Sequence, residues 1–194
     1  MKSVTQCLFI RSVILAFCAT LVGCASVTMP PPTASASNVE KLRAANLAPA
    51  GLGKFGLAAG VNPEIDQTLG GLRGSSVRAA SGSFSQQLKD VILTELNAAG
   101  LYDEKSPFQI GAQLTDSQVD AAIGTGTARL GANFTVDKAG QRLFEKTLSV
   151  DSRWDSSFVG AIAIPEAMNQ YTALYKELAG KLFDDRDFRS ILAR

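Results

Sequence analysis

The stretch ARLGANFTVDKAGQRLFEKTLSVDSRW, residues 128–154, carries the fold. Ala128, Leu130, Ala132, Phe134 and Val136 alternate with Arg129, Gly131, Asn133 and Thr135, the period of a strand with one buried face. Asp137-Lys138-Ala139-Gly140 supplies a hairpin turn in which Gly140 is suited to a positive φ. Leu143 to Trp154 then returns. Phe144, Leu148, Val150 and Trp154 share a parity that Lys146 and Ser152 interrupt, as expected where one face is only partly covered or the strand bulges.

Upstream, Phe108, Ile110, Ala112 and Leu114 alternate as a third strand. Before it, Ser83 and Gln86 have capping-box spacing, and Phe84, Leu88, Val91, Ile92, Leu96 and Ala99 recur at three and four residues. Gly100 sits where such a helix ends. Leu52, Phe55 and Leu57 mark an extended segment ending near Gly60, and Asn38 is placed to cap a short helix from Val39 to about Asn46. Between Asn62 and Gly82 only Val77 and Ala79 alternate, so a long loop or irregular edge is expected.

Downstream, Pro165 suits the first position of a helix whose apolar stripe is Met168, Tyr171, Leu174, Tyr175, Leu178 and Leu182. Asp184 to Arg194 restarts as a short helix anchored by Phe188, Ile191 and Leu192. The order predicts a two-layer α+β sandwich: an antiparallel sheet of about four strands with two main helices on one face.

The amino-terminal residues read differently. Lys2 and Arg11 make a basic start, Val13 to Val22 is mostly apolar, and small Gly23 precedes Cys24. That run is shorter than the roughly 20 residues that span a bilayer as a helix, so residues 1–23 are expected to be a cleaved export signal. Leu21-Val22-Gly23-Cys24 resembles the lipobox of bacterial lipoproteins. The resemblance implies cleavage between Gly23 and Cys24 and acylation of Cys24, with palmitate among the chains. Cys7 and Cys18 would leave with the signal, so Cys24 would be the only cysteine kept, and acylation would block its thiol.

Pro30-Pro31-Pro32 and Thr33-Ala34-Ser35-Ala36-Ser37 read as a tether across residues 24–38 that lifts a single periplasmic domain, residues 39–194, off the bilayer. Lipoproteins of this kind are held at the inner membrane by an Asp after the cysteine. Ala25 stands there, which points to the periplasmic face of the outer membrane.

Removal of Lys2 and Arg11 leaves 17 Lys and Arg against 18 Asp and Glu. A chain that close to neutral lacks the basic footprint for nucleic acid or anionic headgroups, and membrane attachment would rest on the acyl chains.

The chain has no histidine, which removes the commonest general base and metal ligand, and neither Gly-x-Ser-x-Gly nor Ser-x-x-Lys occurs. A Ser-Lys pair distant in sequence stays open. Gly70, Gly71 and Gly74 near Arg73 and Arg78 read as a flexible loop with solvated arginines, since no Gly-Lys-Ser/Thr comes after them to make a phosphate loop. Asp184, Asp185 and Asp187 fit helix capping better than a hard-cation site, lacking an EF-hand's later Gly and Glu. No metal or other cofactor is expected, and the domain reads as non-catalytic.

Phe158 to Ile164, after Trp154 and before Pro165, is an uncharged apolar run. Under the closing helix it is core. On the surface it is a site for an envelope protein or lipid, with Trp154, Phe158 and Ile162 as anchors.

The lipobox, the Pro/Ser segment, a helix ending Asn97-Ala98-Ala99-Gly100-Leu101, the long hairpin, and a closing helix trailed by Asp185-Arg186-Asp187-Phe188 together resemble the YajG and LPS-assembly-lipoprotein-like (LptE-like) group of Gram-negative periplasmic lipoproteins. Residues 154–165, WDSSFVGAIAIP, resemble a segment of uncharacterised lipoproteins of this kind. The likeness implies an accessory role in envelope assembly or maintenance. A second reading is a lipid-binding or ABC-transporter auxiliary, with acyl chains in a cavity lined by Phe84, Leu88 and Trp154.

Overall fold

The computed structural model describes residues 26–194, so the export signal, Gly23 and Cys24 lie outside the described residues. The elements are β1 (Ser26–Thr28), α1 (Ala36–Ala44), β2 (Gly51–Leu57), a 3-10 turn at Pro63–Asp66, β3 (Leu69–Leu72), β4 (Ser75–Arg78), α2 (Phe84–Ala99), β5 (Phe108–Asp120), β6 (Gly124–Lys138), β7 (Gln141–Ser156), α3 (Gly160–Phe183) and α4 (Arg186–Leu192).

The α+β expectation holds. The main sheet runs β2-β5-β6-β7, and the hairpin pairs as read: Val136 opposite Phe144, Leu130 opposite Val150. Ala128, Leu130, Ala132, Phe134 and Val136 are buried beneath the helices, α2 against β2 and β5, α3 against β6 and β7. The sheet is mixed rather than antiparallel throughout, because β2 joins β5 in parallel across the α2 crossover.

β5 runs six residues past Leu114, where simple alternation stops. Its register with β6 shifts between Leu114 and Asp116, so the buried set changes from Ile110, Ala112 and Leu114 to Ser117, Val119 and Ala121. A bulge that inserts one residue reverses the faces of every residue beyond it.

Three further expectations are corrected. Ser35, not Asn38, is the N-cap residue of α1, and Asn38 is buried within the helix. Its amide donates to Glu95 Oε1 (3.1 Å) and to the Lys176 carbonyl (2.9 Å). Glu95, itself fully buried, also accepts the Ser35 N–H (3.0 Å) and so caps α1 from α2.

Pro165 lies inside α3 rather than at its first position, because Val159 is the N-cap and Ile162 and Ala163 N–H already bond its carbonyl. The stretch Asn62–Gly82, expected as a long loop or an irregular edge, contains the β3-β4 hairpin, which with β1 forms a second sheet of order β1-β4-β3.

β1 also overturns the tether. Ser26, Val27 and Thr28 pair in parallel with Ser76, Val77 and Arg78, and Met29 is 2% exposed. Pro30 accepts the Gln87 amide through its carbonyl (3.3 Å). Backbone pairing and a buried Met side chain hold this segment on the domain, which a composition rich in Pro and Ser conceals.

Candidate functional site

Five large apolar residues of the described chain are exposed, and four of them lie at one end of the main sheet: Ile123 (64%), Phe158 (79%), Val159 (51%) and Ile162 (60%). Register brings them together. Gly124 pairs with Ser156 where β6 begins and β7 ends, so the loop carrying Ile123 and the β7-α3 connection carrying Phe158 and Val159 emerge side by side. Ile162 comes next, on the first turn of α3. Neither Ala121–Ala128 nor Ser156–Pro165 contains a charged residue.

Arg73 holds the two loops. It sits in the β3-β4 turn at φ 51°. Its guanidinium donates to the Ala121 carbonyl (2.7 Å), the Phe158 carbonyl (2.8 Å), the Ser157 carbonyl and Ser156 Oγ (3.2 Å). A planar fork of donors suits this task, which a lysine could not copy. The arginine expected to be solvated is therefore a clamp. Its hairpin is seated by Gly71, where φ is +91°, the carbonyl accepts the Ala121 N–H (2.8 Å), and a Cβ would strike the Val119 carbonyl.

Of the anchors named from sequence, Phe158 and Ile162 are on this surface, and Trp154 lies behind it, half-buried against the core. Trp154 faces Gly126 across β6-β7, and its indole occupies the space that a side chain there would fill. Its Nε1 is buried without a hydrogen-bond partner. Ile123, Val159 and Arg73 were missed. The uncharged run Ala121–Ala128 was a signal for Ile123, whereas nothing local marks Arg73, whose partners are 48 to 85 residues away.

The remaining candidates have structural roles. Asp185 Oδ1 accepts the N–H groups of Asp187 (3.0 Å) and Phe188 (3.1 Å), capping α4, while Asp184 pairs with Lys41 and Arg189. Burial pushes the Asp185 carboxyl up, but hydrogen bonds from Lys146 and the Phe188 N–H outweigh it and hold it below the ordinary value. Among the described residues no group of three or more potential metal ligands gathers, and no serine hydroxyl is hydrogen-bonded to a lysine amine.

Inside the domain, Ser117, Tyr171 and Tyr175 form a chain of hydroxyls (2.6 and 3.1 Å). Burial raises both phenols above their usual range, so they stay neutral and satisfy one another. Phe84 and Leu88 are fully buried, and Phe84 meets Tyr171 edge to face at 5.8 Å. The space expected for acyl chains is thus filled by side chains. An open trough of 480 Å³ on the solvent face is lined largely by polar and charged groups such as Gln118, Asp120, Arg129 and Arg153. No helix among the described residues is long and apolar enough to cross a membrane.

No protein-family model matches the chain, and no curated protein matches it. Among solved structures it is similar to a Xanthomonas campestris protein of family DUF330, at 15% identity and TM-score 0.49 over 82% of this chain and 91% of that one. A Caulobacter crescentus CB15 protein provisionally described as a lipoprotein has 14% identity and TM-score 0.42, over 81% and 96%. A minor lipoprotein of Acinetobacter baumannii has 13% identity and TM-score 0.40, over 54% and 82%. None of the three carries a YajG or LPS-assembly description. Likeness of this degree carries no functional inference, so function has to be argued from the chain's own residues.

Proposed function

We propose that the chain is a lipid-anchored, non-catalytic accessory factor of the cell envelope, exported, cut before Cys24, and held at the periplasmic face of the outer membrane. The observation that carries this reading is the exposed, charge-free cluster of Ile123, Phe158, Val159 and Ile162, fixed by Arg73. A preformed apolar surface suits binding an envelope component, protein or lipid. The lipobox ending at Cys24 supplies the anchor.

Mass spectrometry of the amino-terminal peptide and membrane fractionation test it. Wild-type protein should begin at an acylated Cys24 and sediment with outer membranes, and Cys24→Ala should lose both properties. An unmodified Cys24 on a soluble mature chain would remove the anchor, and sedimentation with inner membranes would correct the location.

A further inference from the structure

The apolar end and Ser26, the first described residue, lie at the same end of the described domain. β1 is parallel to β4 with Ser26 beside Ser76, so the chain enters β1 from the side of the β3-β4 turn, where Arg73 reaches the Ile123 and Phe158 loops. Cys24 is two residues before Ser26, a reach of at most about 7 Å for extended chain. With β1 paired on the domain, any lipid on Cys24 must enter a bilayer close to this end.

We propose that Phe158, Ile162, Val159 and Ile123 insert into the periplasm-facing leaflet of the same membrane that holds the Cys24 lipid, so that the domain docks end-on with its sheet pointing away from the bilayer. This rests on the reading that Cys24 is acylated. The occupant is a lipid surface because the anchor's short reach confines the patch to it, because the segments Ala121–Ala128 and Ser156–Pro165 contain no charged residue, and because the one cation set against them, Arg73, has its guanidinium engaged by three carbonyls and the Ser156 hydroxyl. The opposite end of the sheet carries Asp137, Lys138, Arg142 and Glu145 and suits water. Since docking uses apolar contact in a nearly neutral protein, salt should leave it intact.

The experiment uses the full acylated protein reconstituted in vesicles of phosphatidylethanolamine and phosphatidylglycerol containing doxyl-labelled lipid. An environment-sensitive dye is placed at Ile123→Cys or, as the distant control, at Ala139→Cys, and intact mass reads the state of Cys24. The dye at 123 should be quenched several-fold more than that at 139, at low and high salt alike, and Phe158→Asp with Ile162→Asp should abolish the difference without releasing the protein. Equal quenching at both positions in protein acylated at Cys24 overturns docking and leaves the anchor standing. Quenching at 123 in protein found unmodified at Cys24 overturns the anchor and upholds the lipid contact. A dye at 123 that shifts with protein concentration but is not quenched by lipid marks self-association and overturns the proposal.

Discussion

The two ends of the main sheet differ in what closes them. At the β6-β7 turn the chain reverses through Ala139 (φ 49°) and Gly140 (φ 85°), and the rim is held by ion pairs of Arg142 with Asp137 and Glu145. At the other end two uncharged loops are closed from outside by one arginine of a different sheet. A local turn determined by a few adjacent residues needs little from the rest of the protein, whereas the loops at the far end are tied by Arg73 to the small sheet. Its surface is therefore both more dependent on long-range contacts and freer in composition, which is what a binding surface requires.

The largest expected difference between the ends is at glycine. Gly71→Ala combines a left-handed φ with a clash against backbone and should cost about 3 kcal/mol or more, whereas Gly140→Ala, with open space around it, should cost about 1 kcal/mol from conformation alone. Urea denaturation of both variants measures the contrast. Equal losses would mean that the β3-β4 hairpin is not seated on β5 as described.

The clamp comes next. Arg73→Ala removes donors to three carbonyls and one hydroxyl and should destabilise by about 2–3 kcal/mol, and Arg73→Lys should recover little of it. Arg142→Ala at the polar end breaks exposed ion pairs and should cost about 1 kcal/mol or less. A lysine that restored full stability would argue against the forked geometry.

How far the sequence could be read divides along the same line. The β6-β7 hairpin, the capping-box helix and its Gly100 end were legible because their determinants are neighbours in sequence. Alternation in β5 stopped at the Thr115 bulge, and the parity breaks of β7 resolve into contacts that lie elsewhere in the chain. Lys146 reaches Asp185 (2.7 Å), and Ser152 donates to Gln170 (2.8 Å). The Pro/Ser segment looked unable to bury anything, yet one Met side chain and a backbone pairing sufficed to dock it. At the candidate site Phe158 and Ile162 were visible as an apolar run, but whether that run is core or surface depends on where α3 begins, and Pro165 pointed to a start five residues too late.

Acid should act on the polar end and spare the apolar one. Asp185 is depressed in the folded state, so its contribution is fully present above its unfolded value, about 4, and fades as pH falls through the lower folded value. Asp185→Ala should cost about 1 kcal/mol at neutral pH through the lost cap of α4, with the gap to wild type closing in strong acid. Thermal melts across pH read this directly. A gap that stays constant would place the effect in packing around Phe188 rather than in the ionised cap.

The smallest effect on stability is expected at the most exposed aromatic residue. Phe158→Ser changes a residue that is 79% solvent-exposed and whose backbone, not side chain, is held by Arg73, so unfolding free energy should change by no more than about 0.5 kcal/mol. Denaturation of the purified variant checks this. A loss of several kcal/mol would show that the ring is covered in the folded protein and that Phe158–Ile164 is core after all. An unchanged midpoint leaves a large apolar side chain with no part in holding the fold, at the end of the domain where the chain enters β1.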